Sequence, residues 1–183
     1  DIQQTDNISE KAAEIAEVMK SASDISQYAV STTKTFKAKT EDGLEKRIKI
    51  ELGDHSVFPI KYSDGRAPAG EDEIALSVIN AAELEKKVGD VITLVIEGKA
   101  KNIKICGIYS DITNGGKTAK AVFTDNLVDT MWCVICAEFS DKSLVNSEVP
   151  GYADKFDFAK VSSIDEYIMQ TFGSTISSVG KAS

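Results

Sequence analysis

The chain has 183 residues, of which 42% are hydrophobic and 27% are charged, a composition typical of a folded globular protein. Its net charge of −8 at pH 7 would repel a phosphate backbone, which argues against a nucleic-acid partner. The longest apolar runs, Val91–Ile96 and Met131–Ala137, are far shorter than the roughly 20 residues that a membrane-spanning helix needs.

The first third of the chain predicts a helix followed by a long hairpin. Apolar residues recur at helical spacing over residues 8–19, and Asn7 followed three residues later by Glu10 predicts a capping-box start. The β-branched and aromatic content of residues 27–40 favours a strand. Apolar and charged residues then alternate over residues 47–52, which predicts a half-buried partner strand.

The rest of the chain mixes short strands, helices and turns. We predict a loop at Tyr62–Pro68, strands at Glu73–Ser77, Val91–Ile96, Asn102–Tyr109, Ala119–Phe123, Met131–Phe139 and Phe156–Val161, a helical turn at Asp125–Thr130, and helices at Val78–Lys87, Ser143–Tyr152 and Ser163–Phe172. Helices mixed with mainly antiparallel strands indicate an α+β fold with flanking helices. The strand–helix–hairpin unit of residues 65–111 is expected to form an inserted subdomain.

Two short patterns and the single histidine each suggest a chemical site, but none has all the residues that such a site needs. Residues 111–118 end like a phosphate-binding loop, but Asp111 stands where that loop needs Gly, and no helix pattern follows Lys117, so a turn is predicted. His55 is the one histidine, which rules out a His-based zinc cluster, and it is predicted to lie at the surface. The acidic run 71–73 lacks the spacing of a calcium loop, and a solvated loop is predicted.

The segment from Trp132 to Cys136 has the W-C-x-x-C pattern of thiol–disulfide enzymes. Such a site needs its first Cys at a helix N-terminus, where the helix dipole lowers the pKa of the thiol. Cys133 and Cys136 lie instead in an apolar run that predicts a strand, on which positions three apart point to opposite faces. We predict two separately packed thiols, and a redox domain using this pair is the first alternative function.

The most specific pattern runs from Tyr62 to Gly107 and resembles the FtsX-like and MacB-like family of ABC transporter permeases, in the part that lies outside the membrane. The residues that carry the resemblance are Gly65, Arg66, Pro68, Asp72, Glu73, Ile74, Leu76, Ser77, Ala81, Val88, Gly89, Asp90 and Gly107. Glu85 departs from the family, which usually has Gly at this helix end, and is expected to shift the local turn. The roles expected of these residues are structural, so the pattern predicts a fold and no catalytic site.

The resemblance implies a porter-like domain of residues 1–64 and 112–183, interrupted by a small, β-rich, sabre-like subdomain of residues 65–111. It also implies a place on the extracytoplasmic face of a bacterial membrane, between transmembrane helices of the full-length permease. The domain would bind or sense a substrate or partner and transmit motion driven by a cytoplasmic ATP-binding subunit. It would need no cofactor and would not be an enzyme.

The same resemblance sets the expected partners. These are a peptide, a lipoprotein or a cell-wall component, together with a second copy of the domain in the full transporter. The two terminal helices would act as levers, which predicts that the chain termini lie side by side. A free-standing secreted binding domain is the second alternative function.

Overall fold

The computed structural model describes residues 1–3 and 6–169. The strands are β1 (Ile2–Gln3), β2 (Ile25–Lys39), β3 (Glu45–Gly53), β4 (Tyr62–Gly65), β5 (Glu73–Ser77), β6 (Val91–Ile96), β7 (Lys99–Tyr109), β8 (Thr118–Ala121) and β9 (Trp132–Phe139). The helices are α1 (Ile8–Ser21), α2 (Val78–Glu83) and α3 (Val145–Lys155), and residues 164–169 are also helical. The predicted α+β class is confirmed.

Six of the strands close into a barrel. The antiparallel hairpin β2–β3 continues through parallel β3–β8, antiparallel β8–β5 and parallel β5–β7. The hairpin β6–β7 then returns to β2, because β6 pairs antiparallel with residues 37–39 of that strand. Seven of the nine strand pairs among the described residues are antiparallel, as the sequence predicts.

Alternation along the strands fills the barrel with apolar side chains. Ile48, Ile50 and Leu52 of β3 are all buried, as their spacing predicts. Phe36 meets Phe123 edge to face across the interior, with ring centroids 5.3 Å apart. The same cluster includes Ile74, Leu76, Ile92, Leu94, Ile96, Ile103, Ile105, Ala119 and Ala121. Each large aliphatic side chain buried in this way contributes about 1.5–3 kcal/mol.

A second core lies beyond the barrel, where β2 extends past its barrel partners and pairs with β9, which in turn pairs with β1. Helix α1 packs here through Ala12, Ile15 and Met19, the residues whose helical spacing predicts it. The predicted capping box is wrong. Asn7 has a left-handed φ of 59° and its side chain makes no capping hydrogen bond, so helix formation depends on the buried face instead.

Four predicted elements differ from the structure. Residues 62–65 belong to β4, since they pair with β7, and are not all loop. The predicted helical turn at 125–130 is irregular, because Leu127 and Asp129 have left-handed φ values. Helix α2 ends at Glu83, four residues earlier than predicted.

The fourth difference is the predicted strand Phe156–Val161, which is turn and irregular chain. Its aromatic residues pack in the second core. Phe156 is fully buried, its ring stacks on that of Tyr152, and it meets the ring of Phe158 edge to face. The apolar run is therefore explained by packing between elements and not by strand pairing.

The predicted division into residues 65–111 and the remainder stays a prediction. Strands β5, β6 and β7 come from the inserted segment, and they complete one barrel with β2, β3 and β8.

The closing helix is confirmed over residues 164–169, and the rest of it lies outside the described residues, as does the chain's far end. Just before this helix in the chain, Lys160 exchanges backbone hydrogen bonds of 3.1 and 2.8 Å with Asp1. Strand β1 precedes α1, so α1 does not extend back to Asp1.

Candidate functional site

Two motif glycines lie against each other where β4 joins β7. Gly65 and Gly107 are register partners, and the Arg66 N–H donates to the Cys106 carbonyl at 2.9 Å. A Cβ on Gly65 would overlap the Cys106 carbonyl oxygen, and one on Gly107 would overlap the carbonyl oxygen of Arg66. Gly65 also has a φ of +66°, which L-residues with side chains rarely adopt. These glycines are thus required by close backbone contact.

The loop after β4 is held by one carboxylate. The guanidinium of Arg66 pairs with Glu73 Oε2, while Glu73 Oε1 accepts the N–H of Gly70 at 2.9 Å and of Ala69 at 3.3 Å. The hydrogen bond from Arg66 is the main reason that the pKa of Glu73 lies below its usual value. Pro68 is buried at the centre of this loop. The arrangement fixes the path of the chain into β5.

A buried hydrogen-bonded cluster fastens α2 to β8. The Ser77 hydroxyl caps α2 by accepting the Asn80 N–H at 3.2 Å, and it also accepts the Thr118 N–H at 3.3 Å. The Asn80 side-chain amide donates a hydrogen bond to the Thr118 carbonyl oxygen at 2.9 Å. The resemblance points to Ser77, but Asn80 and Thr118 were missed, because their partners lie about 40 residues away in the chain.

The loop that imitates a phosphate-binding motif is a turn held by its own side chains. The Asp111 carboxylate accepts the Thr113 N–H at 2.7 Å and also binds the Thr118 hydroxyl. Thr118 in turn bonds the Tyr109 hydroxyl at 2.7 Å, and burial raises the pKa of that phenol. Strand β8 follows the loop in place of a helix, so the predicted turn is confirmed.

The turn at Val88, Gly89 and Asp90 docks on the middle of β7. The Gly89 N–H donates to the Ile105 carbonyl at 2.9 Å, and the Ile105 N–H donates to the Asp90 carbonyl at 2.8 Å. Gly89 has the expected positive φ, at 97°. Of the remaining motif residues, Ile74, Leu76 and Ala81 line the barrel core, and Asp72 is exposed.

Glu85, the residue that departs from the family, has a φ of 54°. It therefore occupies the left-handed conformation that the usual Gly adopts without strain. The shift of the local turn that the sequence leads us to expect from this departure stays a prediction.

The thiols do not form a redox site. Cys133 is buried in the second core, whereas Cys136 is exposed on the opposite face of β9, and both are free. Burial raises the pKa of Cys133, which makes it a poorer nucleophile at neutral pH. The alternative that pairs these two cysteines is therefore wrong for this fold.

His55 is not the surface residue that the sequence predicts. Its side chain is only 7% exposed, with Nε2 at 3.0 Å from the Ala121 carbonyl oxygen and Nδ1 at 3.8 Å from a carboxylate oxygen of Glu51. Burial, followed by the nearby charge of Lys120, lowers the pKa of His55. The residue anchors the chain after β3. Among the described residues, no group of three His, Cys, Asp or Glu side chains could hold a metal ion.

A buried ion pair at the junction of the two cores was also missed. Lys34 Nζ lies 2.7 Å from Asp125 Oδ2, with side-chain exposures of 13% and 0%. Asp125 also accepts the Leu127 N–H at 2.8 Å and so shapes the irregular loop before β9. The signal in the sequence is Lys34 itself, a charged residue at an inward position of β2.

The sequence matches no family model and no curated protein. Among solved structures, the extracellular domain of the noncanonic ABC-type transporter YknZ from Gram-positive bacteria aligns with 88% of this chain and 97% of its own, at a TM-score of 0.57 and 14% identity. The periplasmic region of MacB from Actinobacillus actinomycetemcomitans aligns with 94% of this chain and 84% of its own, at a TM-score of 0.56 and 13% identity. The chain has the fold of these two domains.

The predicted fold resemblance is thereby confirmed, and it covers 97% of one neighbour and 84% of the other. The motif from Gly65 to Gly107 makes the contacts that join β4, β5, α2 and β7 within this fold. In the part of the chain that the structure describes, no helix is long and apolar enough to cross a membrane.

Proposed function

We propose that the chain is the extracytoplasmic domain of an ABC transporter permease of the FtsX/MacB type, anchored by the transmembrane helices of the full-length protein. The observation that carries the proposal is the shared fold, which spans 88% of this chain in one neighbour and 94% in the other. The first neighbour is described as the extracellular domain of an ABC-type transporter, and the second as the periplasmic region of MacB. Because a fold does not fix a function, the assignment needs its own test.

The proposed role is mechanical: the domain binds or senses a peptide, a lipoprotein or a cell-wall component, and it transmits motion powered by a cytoplasmic ATP-binding subunit. The contacts of the chain's first two residues support this role. Asp1 and Lys160 are joined by a pair of backbone hydrogen bonds, and Ile2 is fully buried in the second core. A displacement applied at this end would therefore move the second core as one piece, and with it strand β2 of the barrel.

We further propose that the domain works without chemistry of its own. The motif residues on which the family resemblance rests hold loops, strands and one helix cap together. The W-C-x-x-C segment, which resembles the site of a thiol–disulfide enzyme, separates its thiols onto two faces of a strand.

The experiment uses the full-length permease, purified with its ATP-binding subunit and placed in lipid nanodiscs. A spin label on the exposed Cys136 of each copy reports the distance between two domains in a dimeric transporter. We expect that distance distribution to differ between the nucleotide-free and the vanadate-trapped states. A Cys136→Ser variant carrying Lys99→Cys, at the exposed β6–β7 turn, provides a second label on the barrel.

The mechanical role predicts a change at both label positions. It would be contradicted by an assembled, ATP-hydrolysing complex in which neither distribution changes. A full-length gene product that has no apolar stretch of about 20 residues on either side of this chain would contradict the permease assignment itself.

A further inference from the structure

A polar pocket of about 240 Å³ opens where β3 loses its neighbour in the barrel. Strand β8 pairs with β3 only over Lys49–Leu52, so residues 45–48 have no strand on that side within residues 1–3 and 6–169. Helix α2 and the loop at residues 114–117 form the facing wall, and Ile48 and Leu84 are also part of the lining. The pocket is thus built by three elements that the barrel core holds in place.

The lining of this pocket is strongly cationic. Lys46, Arg47 and Lys117 bring three positive charges to its lining, against the single carboxylate of Glu83, so the local formal charge is three minus one, or +2. Lys49 also lines the pocket, but its ammonium is directed toward Trp132 of β9. The whole chain, by contrast, carries −8. A concentration of positive charge at one concave place on an acidic protein attracts an anion selectively to that place.

The contacts within the pocket leave this charge largely unneutralised. Glu83 pairs with Lys117 at 2.5 Å, and Lys46 donates to the Glu83 backbone carbonyl at 2.7 Å. Lys49 lies over the ring of Trp132, 5.5 Å from its centroid, and Arg47 makes no ion pair within the described residues. Two other lysines near these elements are paired with carboxylates, Lys37 with Glu45 and Lys86 with Glu41.

We propose that this pocket binds a compact oxyanion of the phosphate type, either free or as the headgroup of an anionic lipid. Arg47 supplies a planar guanidinium that can bond two oxygens at once, and the lysines supply point charges. Asn114 also lines the pocket, and its amide, which donates one hydrogen to the Thr113 hydroxyl at 3.4 Å, has a second N–H to offer an oxyanion. A volume of about 240 Å³ accommodates a phosphate group with a few waters, but it is small for a nucleotide. This site goes beyond the proposed function and does not depend on it.

The first test is a titration of the ¹⁵N-labelled chain with sodium phosphate at pH 7, with ionic strength held constant by NaCl. We expect saturable shifts at the amides of Arg47, Asn114 and Lys117, with a dissociation constant in the millimolar range. The double variant Arg47→Ala/Lys117→Ala should weaken binding at least tenfold, since it removes two cations and frees the Glu83 carboxylate to repel the ligand.

The matched control is Lys20→Ala/Lys99→Ala, which removes the same charge from exposed positions on α1 and β7. It should bind phosphate within twofold of the parent chain, and unfolding in urea verifies that both variants are folded. The proposal is overturned if the two double variants bind equally well, or if the shifts are spread over all surface lysines.

The second test distinguishes the sources of the phosphate group by sedimentation with lipid vesicles. If a lipid headgroup is the ligand, the chain co-sediments with phosphatidylglycerol vesicles but not with phosphatidylcholine vesicles, and Arg47→Ala/Lys117→Ala abolishes this. Binding of free phosphate without vesicle binding assigns the site to a soluble ligand. Vesicle binding that persists in the double variant, without saturable phosphate binding, overturns the proposal.

Discussion

At the scale of single residues, the contact between Gly65 of β4 and Gly107 of β7 shows how a motif can encode a fold. Gly65 and Gly107 allow two backbones to approach at a distance that a methyl group would prevent. This contact guides the chain from the outside of the barrel into the Arg66–Glu73 loop. These two positions therefore require glycine because a Cβ would not fit, and this effect can be measured separately from the need for a left-handed φ.

We predict that Gly65→Ala lowers the free energy of unfolding by about 3 kcal/mol or more, because the new Cβ overlaps a backbone carbonyl that cannot move without breaking the strand pair. The matched control is Gly98→Ala. Gly98 also has a positive φ, of +77°, but it has open space around it, so the cost should be only about 1 kcal/mol. Urea unfolding of both variants measures the difference, and equal losses would show that φ alone matters.

At the scale of elements, strand β2 joins the two cores. Its inward face holds Tyr28 and Val30 in the second core and Phe36 and Ala38 in the barrel. Lys34 stands between these groups and is neutralised by Asp125 from the loop before β9. A buried charge is tolerated at this point because its partner is brought to it by the chain's own irregular segment.

We predict that Lys34→Met destabilises the chain by about 3 kcal/mol, since the wholly buried Asp125 carboxylate loses its counter-charge. Lys34→Met/Asp125→Leu should recover much of that loss, because neither charge then remains buried. The free energies of unfolding of the parent, the two single variants and the double variant form a cycle. A double variant that is less stable than Lys34→Met would refute this account.

Local patterns in the sequence predict most elements but not how they assemble. The alternation in β3 and the spacing in α1 foresee their buried faces, since each depends on one element's own period. The return of β6 to β2, which closes the barrel, rests on residues more than 50 positions apart and leaves no local trace. The hydrogen bonds around Thr118 also join residues far apart in the chain, so they could not be predicted from local patterns. For the same reason, the apolar run at Phe156 was predicted to be a strand, although it packs between elements of the second core.

At the scale of the whole molecule, one closed barrel and one helix-covered sheet share a single long strand. The barrel carries the motif contacts and the cationic pocket, whereas the second core holds the N-terminal end of the chain through the buried Ile2. This arrangement separates a surface that could meet a ligand from the end that would be moved. It is the arrangement that the proposed mechanical role requires.

The most direct test of the central claim is the side of the membrane on which this domain lies. Intact cells expressing the full-length protein are treated with a membrane-impermeant maleimide, which can react with the exposed Cys136, while Cys106 and Cys133 are buried. Cys136→Ser is the control for specificity. Where the host has an outer membrane, that membrane is permeabilised first. We predict that the parent protein is labelled in intact cells and that the variant is not. Labelling that occurs only after the inner membrane is broken would contradict the extracytoplasmic assignment.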